Sequence, residues 1–254
     1  MNLFTTRVCR SPSRVLIITS RWSSRQSLST TSTQHEPSNP GTDTLRLMPL
    51  GGSITHGVGS STGTGYRKRL LTLLQSHGLP IKMVGSRQTG IMSNNNHEGW
   101  RGSRIDEIHH KIKNRKSKSN SISALSPHIF AINAGSNDCL QRFSIETAGA
   151  RMAEMLEFLW AASPGSTILL STLLVNGRRD VDEMVRGVNG QFRRLYEEMV
   201  AERRRIVLVD MHSPDGPQQG HLVDGTHPGD EGYEIMAGLW CRGVLEARGK
   251  GFFE

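Results

Sequence analysis

The chain has 254 residues, of which 35% are hydrophobic and 21% charged, and its formal net charge is +8. This length allows one large domain with a buried core, and the composition is typical of a soluble globular protein. No apolar run approaches the roughly eighteen residues of a membrane span. The scattered Cys9, Cys139 and Cys241 exclude a disulfide framework and a clustered cysteine site for zinc.

The positive charge is concentrated in two segments. Residues 1–43 hold five arginines and two acidic residues, and a second basic run occupies residues 111–118. A nucleic-acid surface would interleave basic residues with base-stacking aromatic residues, and the run 111–118 contains no aromatic residue. We therefore predict a solvated loop at this position and no nucleic-acid partner.

The first 43 residues do not have the pattern of a folded domain. They are rich in Ser, Thr and Arg, and the first acidic residue is Glu36, which is the composition of an organelle-targeting presequence. A secretory signal would need a longer apolar centre than the four residues 15–18. We predict a mitochondrial-type leader or a disordered segment over residues 1–43, a mitochondrial or cytoplasmic location rather than secretion, and one domain over residues 44–254.

From Leu45 onward, short apolar runs alternate with helical patterns. The apolar runs predict five strands, at residues 45–50, 81–84, 128–133, 167–170 and 206–209. The helical periodicity predicts helices at residues 66–77, 105–113, 145–162, 181–202 and 229–245. A long polar loop is predicted over residues 85–102. Strands separated by helices indicate parallel βαβ units in a three-layer α/β sandwich, in which ligands bind beyond the carboxyl ends of the strands.

Reactive side chains follow the predicted strands at that edge of the sheet. Ser53 comes directly after the first strand, Asn137 after the third, and Asp224 and His227 after the fifth. A serine nucleophile needs a base to take its proton, and the base needs a group that fixes its tautomer. The spacing lets the Asp224 carboxylate reach one nitrogen of His227 while the other faces Ser53. By itself, however, Gly51–Ser53 also fits an ordinary polar turn, and Asn137 fits a turn-forming residue.

A developing oxyanion would need preorganised hydrogen-bond donors at the same edge. The backbone N–H of Ser53, the N–H of a glycine in the loop after the second strand and the side-chain amide of Asn137 would provide three. Two glycines of that loop, Gly99 and Gly102, compete for this role.

Four sequence blocks in this order resemble those of the SGNH hydrolases, also called GDSL esterases and lipases. The blocks are Gly51-Gly-Ser-Ile-Thr-His-Gly57, then Gly102, then Gly135-Ser-Asn-Asp138, then Asp224-Gly-Thr-His227. The resemblance covers about residues 45–245. It implies a flavodoxin-like α/β/α sandwich with a five-stranded parallel sheet.

The same resemblance implies a role for each matching residue. Ser53 would be the nucleophile, His227 the general base and Asp224 the group that orients it. The oxyanion hole would consist of the backbone N–H groups of Ser53 and Gly102 with the side chain of Asn137. Neither a metal nor an organic cofactor is expected for this mechanism, and we expect a monomer.

Within the superfamily, the segments His97–Gly102 and Arg104–Asp106 are most similar to the family-three carbohydrate esterases, which remove acetyl groups from xylan-type polysaccharides. Other relatives are lysophospholipases or thioesterases. The expected substrate is therefore a small-molecule or polysaccharide ester, with acetylated carbohydrate as the first choice. Trp100 and Arg101 would line the substrate pocket or belong to an ordinary surface loop.

One residue departs from the family pattern, and two other places in the sequence offer alternative catalytic groups. Gly52 stands where the family usually has Asp, so a catalytically silent relative that binds carbohydrate or lipid is kept as an alternative. Asp210 and His212 could mimic an Asp–His pair, although a histidine at the start of a loop explains them better. Cys139 is expected to contribute to packing rather than to act as a thiol nucleophile.

Overall fold

The structure is a computed structural model and describes residues 44–114 and 121–253. The predicted leader, residues 1–43, and residues 115–118 of the predicted basic loop lie outside the described residues. Residues 111–113 of that run form the end of a helix, so the loop prediction was wrong for them. Within the described ranges, no helix is long and apolar enough to cross a membrane.

The centre of the domain is a seven-stranded sheet. Its strands are β1 (Leu45–Gly51), β2 (Ile81–Met83), β3 (Arg87–Gln88), β4 (Asn96–Gly99), β5 (Ile129–Asn133), β6 (Thr167–Ser171) and β7 (Ile206–Val209). The strand order is β3-β4-β1-β5-β6-β7, and β2 also pairs with β1. All pairs are parallel except β3 with β4. The carboxyl ends of the parallel strands therefore meet at one edge of the sheet.

The predicted count of five strands was wrong, because the supposed loop 85–102 contains β3 and β4. Strand β2 pairs with the first residues of β1 and β4 with its last two, both on the side of β1 opposite β5. Two short strands thus occupy one position in the sheet. Strand β4 lacks an apolar pattern because its buried side chains, His97 and Glu98, are polar and hydrogen-bonded.

Eight α-helices surround the sheet in the described part of the chain. They are α1 (Ser53–His56), α2 (Arg67–Ser76), α3 (Ile105–Lys113), α4 (Ile122–Leu125), α5 (Ser136–Leu140), α6 (Ala148–Ala162), α7 (Arg179–Ala201) and α8 (Asp230–Gly249). The five predicted helices are confirmed as α2, α3, α6, α7 and α8, although residues 145–147 form a 3₁₀ turn and α8 continues to Gly249. The sequence did not predict the short helices α1, α4 and α5, because four or five residues are too few to show a periodic pattern.

The side chains of the strands alternate between two helical layers. Met48 and Leu50 of β1 pack in the core shared with α3, α6 and α7. Leu45 and Leu47 pack on the other face of the sheet, in the core shared with α2 and α8. The predicted three-layer α/β/α sandwich is therefore confirmed.

A buried arginine holds together the loops beside the first strand. Arg67 has no exposed surface, and its guanidinium lies within hydrogen-bonding distance of the carbonyl oxygens of His56, Gly63, Thr89 and Asn95. Burial lowers the pKa of Arg67 to about 10. These contacts join the end of α1 to two loops, so the helix that begins with Ser53 rests on a fixed support.

Candidate active site

Ser53 lies where β1 passes directly into α1. A Cβ added at Gly51 would lie 2.0 Å from the carbonyl oxygen of Asn133, so only glycine allows β1 and β5 to approach this closely at their ends. Ser53 is the first residue of α1, and the N–H groups of the first turn of a helix have no partner within the helix. The turn ends at Gly57, whose φ of 102° favours glycine.

Ser53, His227 and Asp224 form one hydrogen-bonded chain, although Ser53 and His227 are 174 positions apart in the sequence. The Oγ of Ser53 lies 2.8 Å from Nε2 of His227, and Nδ1 of His227 lies 2.7 Å from Oδ2 of Asp224. Since a carboxylate can only accept a hydrogen bond, Nδ1 of His227 carries the ring proton and donates a hydrogen bond to Asp224. Nε2 then accepts a hydrogen bond from the hydroxyl of Ser53. This is the tautomer that a general base requires.

The Asp224 carboxylate is held by backbone groups of its own loop. Its Oδ1 accepts the N–H groups of Thr226 at 3.0 Å and of His227 at 2.8 Å. Burial by itself would raise the pKa of Asp224, but the hydrogen bonds from His227 and Thr226 outweigh it and lower the pKa below its ordinary value. Asp224 is therefore negatively charged at neutral pH and can stabilise a protonated His227.

The structure distinguishes the two candidate glycines for the oxyanion hole. The N–H of Gly99 donates to Nδ1 of His97 at 2.8 Å, and the next N–H, that of Trp100, donates to the carbonyl of Gly51. The N–H of Gly102 has no acceptor among the described residues, and the N–H of Ser53 has none either. Of the two glycines, only Gly102 has an N–H free to bind an oxyanion.

Asn137 lies beside Ser53, with its amide fixed from one side. Its Nδ2 donates to the carbonyl of Ser103 at 3.0 Å, which leaves the second N–H of this amide free. A Cβ built on Gly52 would lie 3.2 Å from this Nδ2, so the amide lies over the residue preceding Ser53. Asn137 contacts a residue 34 positions away instead of closing its own turn, so the alternative of a simple turn residue does not describe it.

The segments that carry Gly102 and Asn137 are joined to each other. Asp138 is fully buried, pairs with Arg151 and accepts the N–H of Ile105 at 3.1 Å. Burial raises the pKa of Asp138, and the contact with Arg151 opposes this effect. The side chain of Gln141 donates to the carbonyl of Gly102 at 2.9 Å. Asp138 therefore fixes the loops of the candidate oxyanion hole.

Trp100 and Arg101 differ in their surroundings. The indole N–H of Trp100 donates to Oε2 of Glu98 at 3.2 Å, and the guanidinium of Arg87 lies 4.4 Å from the centre of its ring. Trp100 is thus held in place by Glu98 and Arg87. Arg101, in contrast, is exposed next to Gly102. The sequence did not predict the role of Glu98, because it lies in a polar strand that was interpreted as a loop.

The remaining candidates are not part of the hydrogen-bonded chain. Cys139 is buried, and burial followed by the charge of Asp138 raises the pKa of its thiol to about 12, which fits packing and not nucleophilic attack. Asp210 accepts the backbone N–H of His212 and pairs with Arg193, so it does not orient the His212 ring. No group of three or more His, Cys, Asp or Glu residues in ranges 44–114 and 121–253 could hold a metal ion.

A buried histidine connects β4 to the helix of Ser53. Nδ1 of His97 accepts the N–H of Gly99, so its Nε2 carries the proton and donates to Oγ1 of Thr89 at 2.8 Å. Thr89 in turn donates to the carbonyl of His56 at 2.8 Å. Burial, followed by the charge of Arg67, lowers the pKa of His97 to about 3. The neutral form is therefore the one that supports the site.

Acidification should destabilise the fold through His97. Its pKa is lower in the folded state than in the unfolded chain, so the unfolded chain takes up the proton first. The free energy of unfolding should fall as the pH drops from about 6.5 toward 3, by at most about 1.4 kcal/mol per pH unit from this residue. The variant His97→Asn keeps an acceptor near the position of Nδ1 but cannot titrate. Urea unfolding at several pH values should show a flatter dependence for this variant, and equal slopes would contradict the assignment.

Comparison with known proteins identifies the family of the chain. A model of the GDSL-like lipase/acylhydrolase family matches residues 50–235. A multidomain esterase from Ruminococcus flavefaciens is 26% identical over 222 residues, which cover 79% of this chain and 28% of that protein. The chain thus spans less than a third of the length of this relative.

Solved structures share the fold. A family 3 carbohydrate esterase from Clostridium thermocellum has a TM-score of 0.70 and 21% identity, over 82% of this chain and 98% of that chain. A variant of an acetyl-xylooligosaccharide esterase from Geobacillus stearmophilus has a TM-score of 0.57 and 20% identity, over 79% of this chain and 94% of that chain. The family predicted from the four sequence blocks is confirmed, and the chain belongs to the GDSL-like lipase/acylhydrolase family.

Proposed function

We propose that the protein is a serine esterase that removes short acyl groups, acetyl above all, from esters of carbohydrates. The observation that carries the proposal is the hydrogen-bonded chain from Ser53 through His227 to Asp224, with distances of 2.8 and 2.7 Å. Membership of an acylhydrolase family supports the reaction class. Support for a carbohydrate substrate comes from the two structural relatives, which are both carbohydrate esterases by name.

In the proposed reaction, Oγ of Ser53 attacks the ester carbonyl carbon while Nε2 of His227 takes the hydroxyl proton. The carbonyl oxygen becomes an oxyanion that the N–H groups of Ser53 and Gly102 and the amide of Asn137 bind. Protonated His227, stabilised by Asp224, then gives its proton to the alcohol oxygen. The alcohol departs, and the acyl group remains bonded to Ser53 as an acyl-serine. His227 next removes a proton from water, and the resulting attack on the acyl-serine releases the acid and regenerates Ser53.

The space beside Ser53 supports a short acyl group. The cleft lined by Gly52, Ser53, Ser103 and Asn137 is partly open to solvent and has a volume of about 10 Å³, close to the space that one water molecule needs. Its remaining wall is formed by residues 133–136 and Ile54. A long acyl chain would need an extended apolar tunnel, and this cleft is too small to be one.

A series of p-nitrophenyl esters tests the proposal. We expect kcat/KM to fall by about tenfold or more from acetate to butyrate, and further for octanoate, because added methylene groups do not fit the cleft. Acetylated xylan and a lysophospholipid should then be compared as natural-type substrates, with acetate release as the measurement. Two results would contradict a short-acyl carbohydrate esterase: equal kcat/KM for the octanoate and acetate esters, or a preference for the lysophospholipid. Either result would favour the lysophospholipase or thioesterase alternative.

Labelling with a fluorophosphonate separates an esterase from a catalytically silent binding protein. An activated serine should form a covalent adduct, and mass spectrometry of the digested protein should locate the adduct on Ser53. Folded protein that gains no adduct would support a catalytically silent binding protein. That alternative was kept because Gly52 stands where the family usually has Asp.

A further inference from the structure

The loop after β6 contacts the loop that carries Asp224 and His227. The N–H of Gly177 donates to the carbonyl of Gly225 at 2.7 Å. A Cβ added at Gly177 would lie 2.9 Å from the Cα of Gly225, so the two backbones touch directly. Gly225 itself has a φ of 79°, which favours glycine.

Asn176 is the side chain that joins these two loops. It is buried, with 5% of its surface exposed, and its Nδ2 donates to Oγ1 of Thr226 at 3.1 Å. Two further polar groups of Asn176 are engaged: Oδ1 accepts the N–H of Arg178 at 3.0 Å, and its backbone N–H donates to Asp182 at 2.9 Å. Asp182, which is in the first turn of α7 and largely buried, holds the backbone of Asn176. The bond from the N–H of Arg178 to Oδ1 fixes the orientation of the Asn176 amide.

Thr226 connects this amide to the candidate catalytic residues. Its backbone N–H donates to Oδ1 of Asp224, and it immediately precedes His227. The side chain of Asp224 is 52% exposed, so surrounding packing holds this carboxylate only in part. Hydrogen bonds must therefore supply much of the restraint on the loop, and the bond from Asn176 to Thr226 ties that loop to a rigid part of the fold.

We propose that Asn176, acting through the hydroxyl of Thr226, is a positioning residue that holds Asp224 and His227 in line with Ser53. The proposal rests on the proposed esterase function. Asn176 would not touch the substrate; its loss would let the loop 224–227 vary in position. Small displacements of a base from its nucleophile are costly in rate, so the effect should fall on kcat and leave KM unchanged.

The matched pair Thr226→Val and Thr226→Ser tests the hydroxyl with little change in shape. We expect Thr226→Val to lower kcat for p-nitrophenyl acetate about tenfold at unchanged KM, and Thr226→Ser to restore most of the rate. Asn176→Ala should have an effect of similar size. Because both changes remove the Asn176–Thr226 hydrogen bond, and Asn176→Ala also removes the bond from Arg178, the double variant should be no slower than Asn176→Ala alone.

Two results would overturn the proposal. One is a Thr226→Val protein with the kcat of the wild type. The other is a double variant whose loss equals the product of the two single losses, since this would mean independent effects. Thermal unfolding of each variant separates a general loss of stability from a loss of rate in folded protein. If Asn176→Ala does not fold, the Thr226 pair decides by itself.

A second readout keeps the test independent of ester turnover. The proton on Nδ1 of His227 should give a downfield NMR signal when its bond to Asp224 is well ordered. We expect this signal in the wild type and Thr226→Ser, and its loss or broadening in Thr226→Val. If the wild type hydrolyses no ester but shows this pattern, the proposed function fails and the positioning role stands. An unchanged signal in the Thr226→Val protein would contradict the proposed positioning role of Asn176.

Discussion

Replacing Ser53 with alanine is expected to lower kcat for p-nitrophenyl acetate by about a millionfold. The hydroxyl oxygen is the atom that would bond to the acyl carbon, and no other serine in the described ranges is hydrogen-bonded to His227. Any remaining rate would come from the oxyanion donors acting on attack by water. The measurement is steady-state hydrolysis with enzyme concentrations high enough to detect the residual rate.

Ser61→Ala is a suitable control for the Ser53 variant. Ser61 lies in the exposed loop after α1, where both its hydroxyl and its backbone N–H contact Asp230. The backbone bond remains in the variant, and neither Ser61 nor Asp230 is hydrogen-bonded to Ser53, His227 or Asp224, so kcat should be unchanged. The Ser53→Ala protein should also fail to react with a fluorophosphonate. Full turnover of the ester by this variant would exclude the proposed mechanism.

Replacing Asn137 with alanine is expected to lower kcat by roughly a hundred- to a thousandfold, with little change in KM. The amide lies beside Ser53 and is oriented by the carbonyl of Ser103, so it would bind the oxyanion more strongly than the ground-state ester. Interactions that strengthen only in the transition state appear in kcat. Asn114→Ala, at the exposed end of α3, is the matched control and should behave as the wild type. An Asn137→Ala protein with a normal kcat would remove Asn137 from the oxyanion hole.

The departure at Gly52 falls at a place where other groups support the site. Its φ of −94° is open to any residue, so the backbone does not require glycine there. A side chain would begin 3.2 Å from Nδ2 of Asn137. In this chain that amide is oriented by Ser103, and the neighbouring Asp138 is fixed by Arg151. The missing carboxylate therefore leaves the Asn137 amide with a defined orientation.

The regular elements were predictable because their patterns are local. Apolar runs identified β1, β2, β5, β6 and β7, and periodicity identified the five long helices. Strand β4 was not predictable, because its buried side chains are polar. Glu98 is hydrogen-bonded to Ser86 and His97 to Thr89, and no local pattern indicates these partners. The short helices that begin with Ser53 and Ser136 were missed for lack of length, although both carry residues of the site.

The sequence by itself determined the family, the order along the chain of five strands and of the five long helices, and the residue types at the ends of those strands, since four separate blocks had to agree. Only the tertiary structure decided that Gly102 and not Gly99 has a free N–H, and that Asn176 reaches Thr226 across 50 positions. The Asn176–Thr226 contact joins two loops that are distant in the chain, whereas the N–H of Gly99 is taken by a histidine of its own strand, β4. The packing of the strands brings the loops of Asn176 and Thr226 together, and the burial of His97 in β4 makes its Nδ1 the acceptor for Gly99. The local sequence contains no signal for either arrangement.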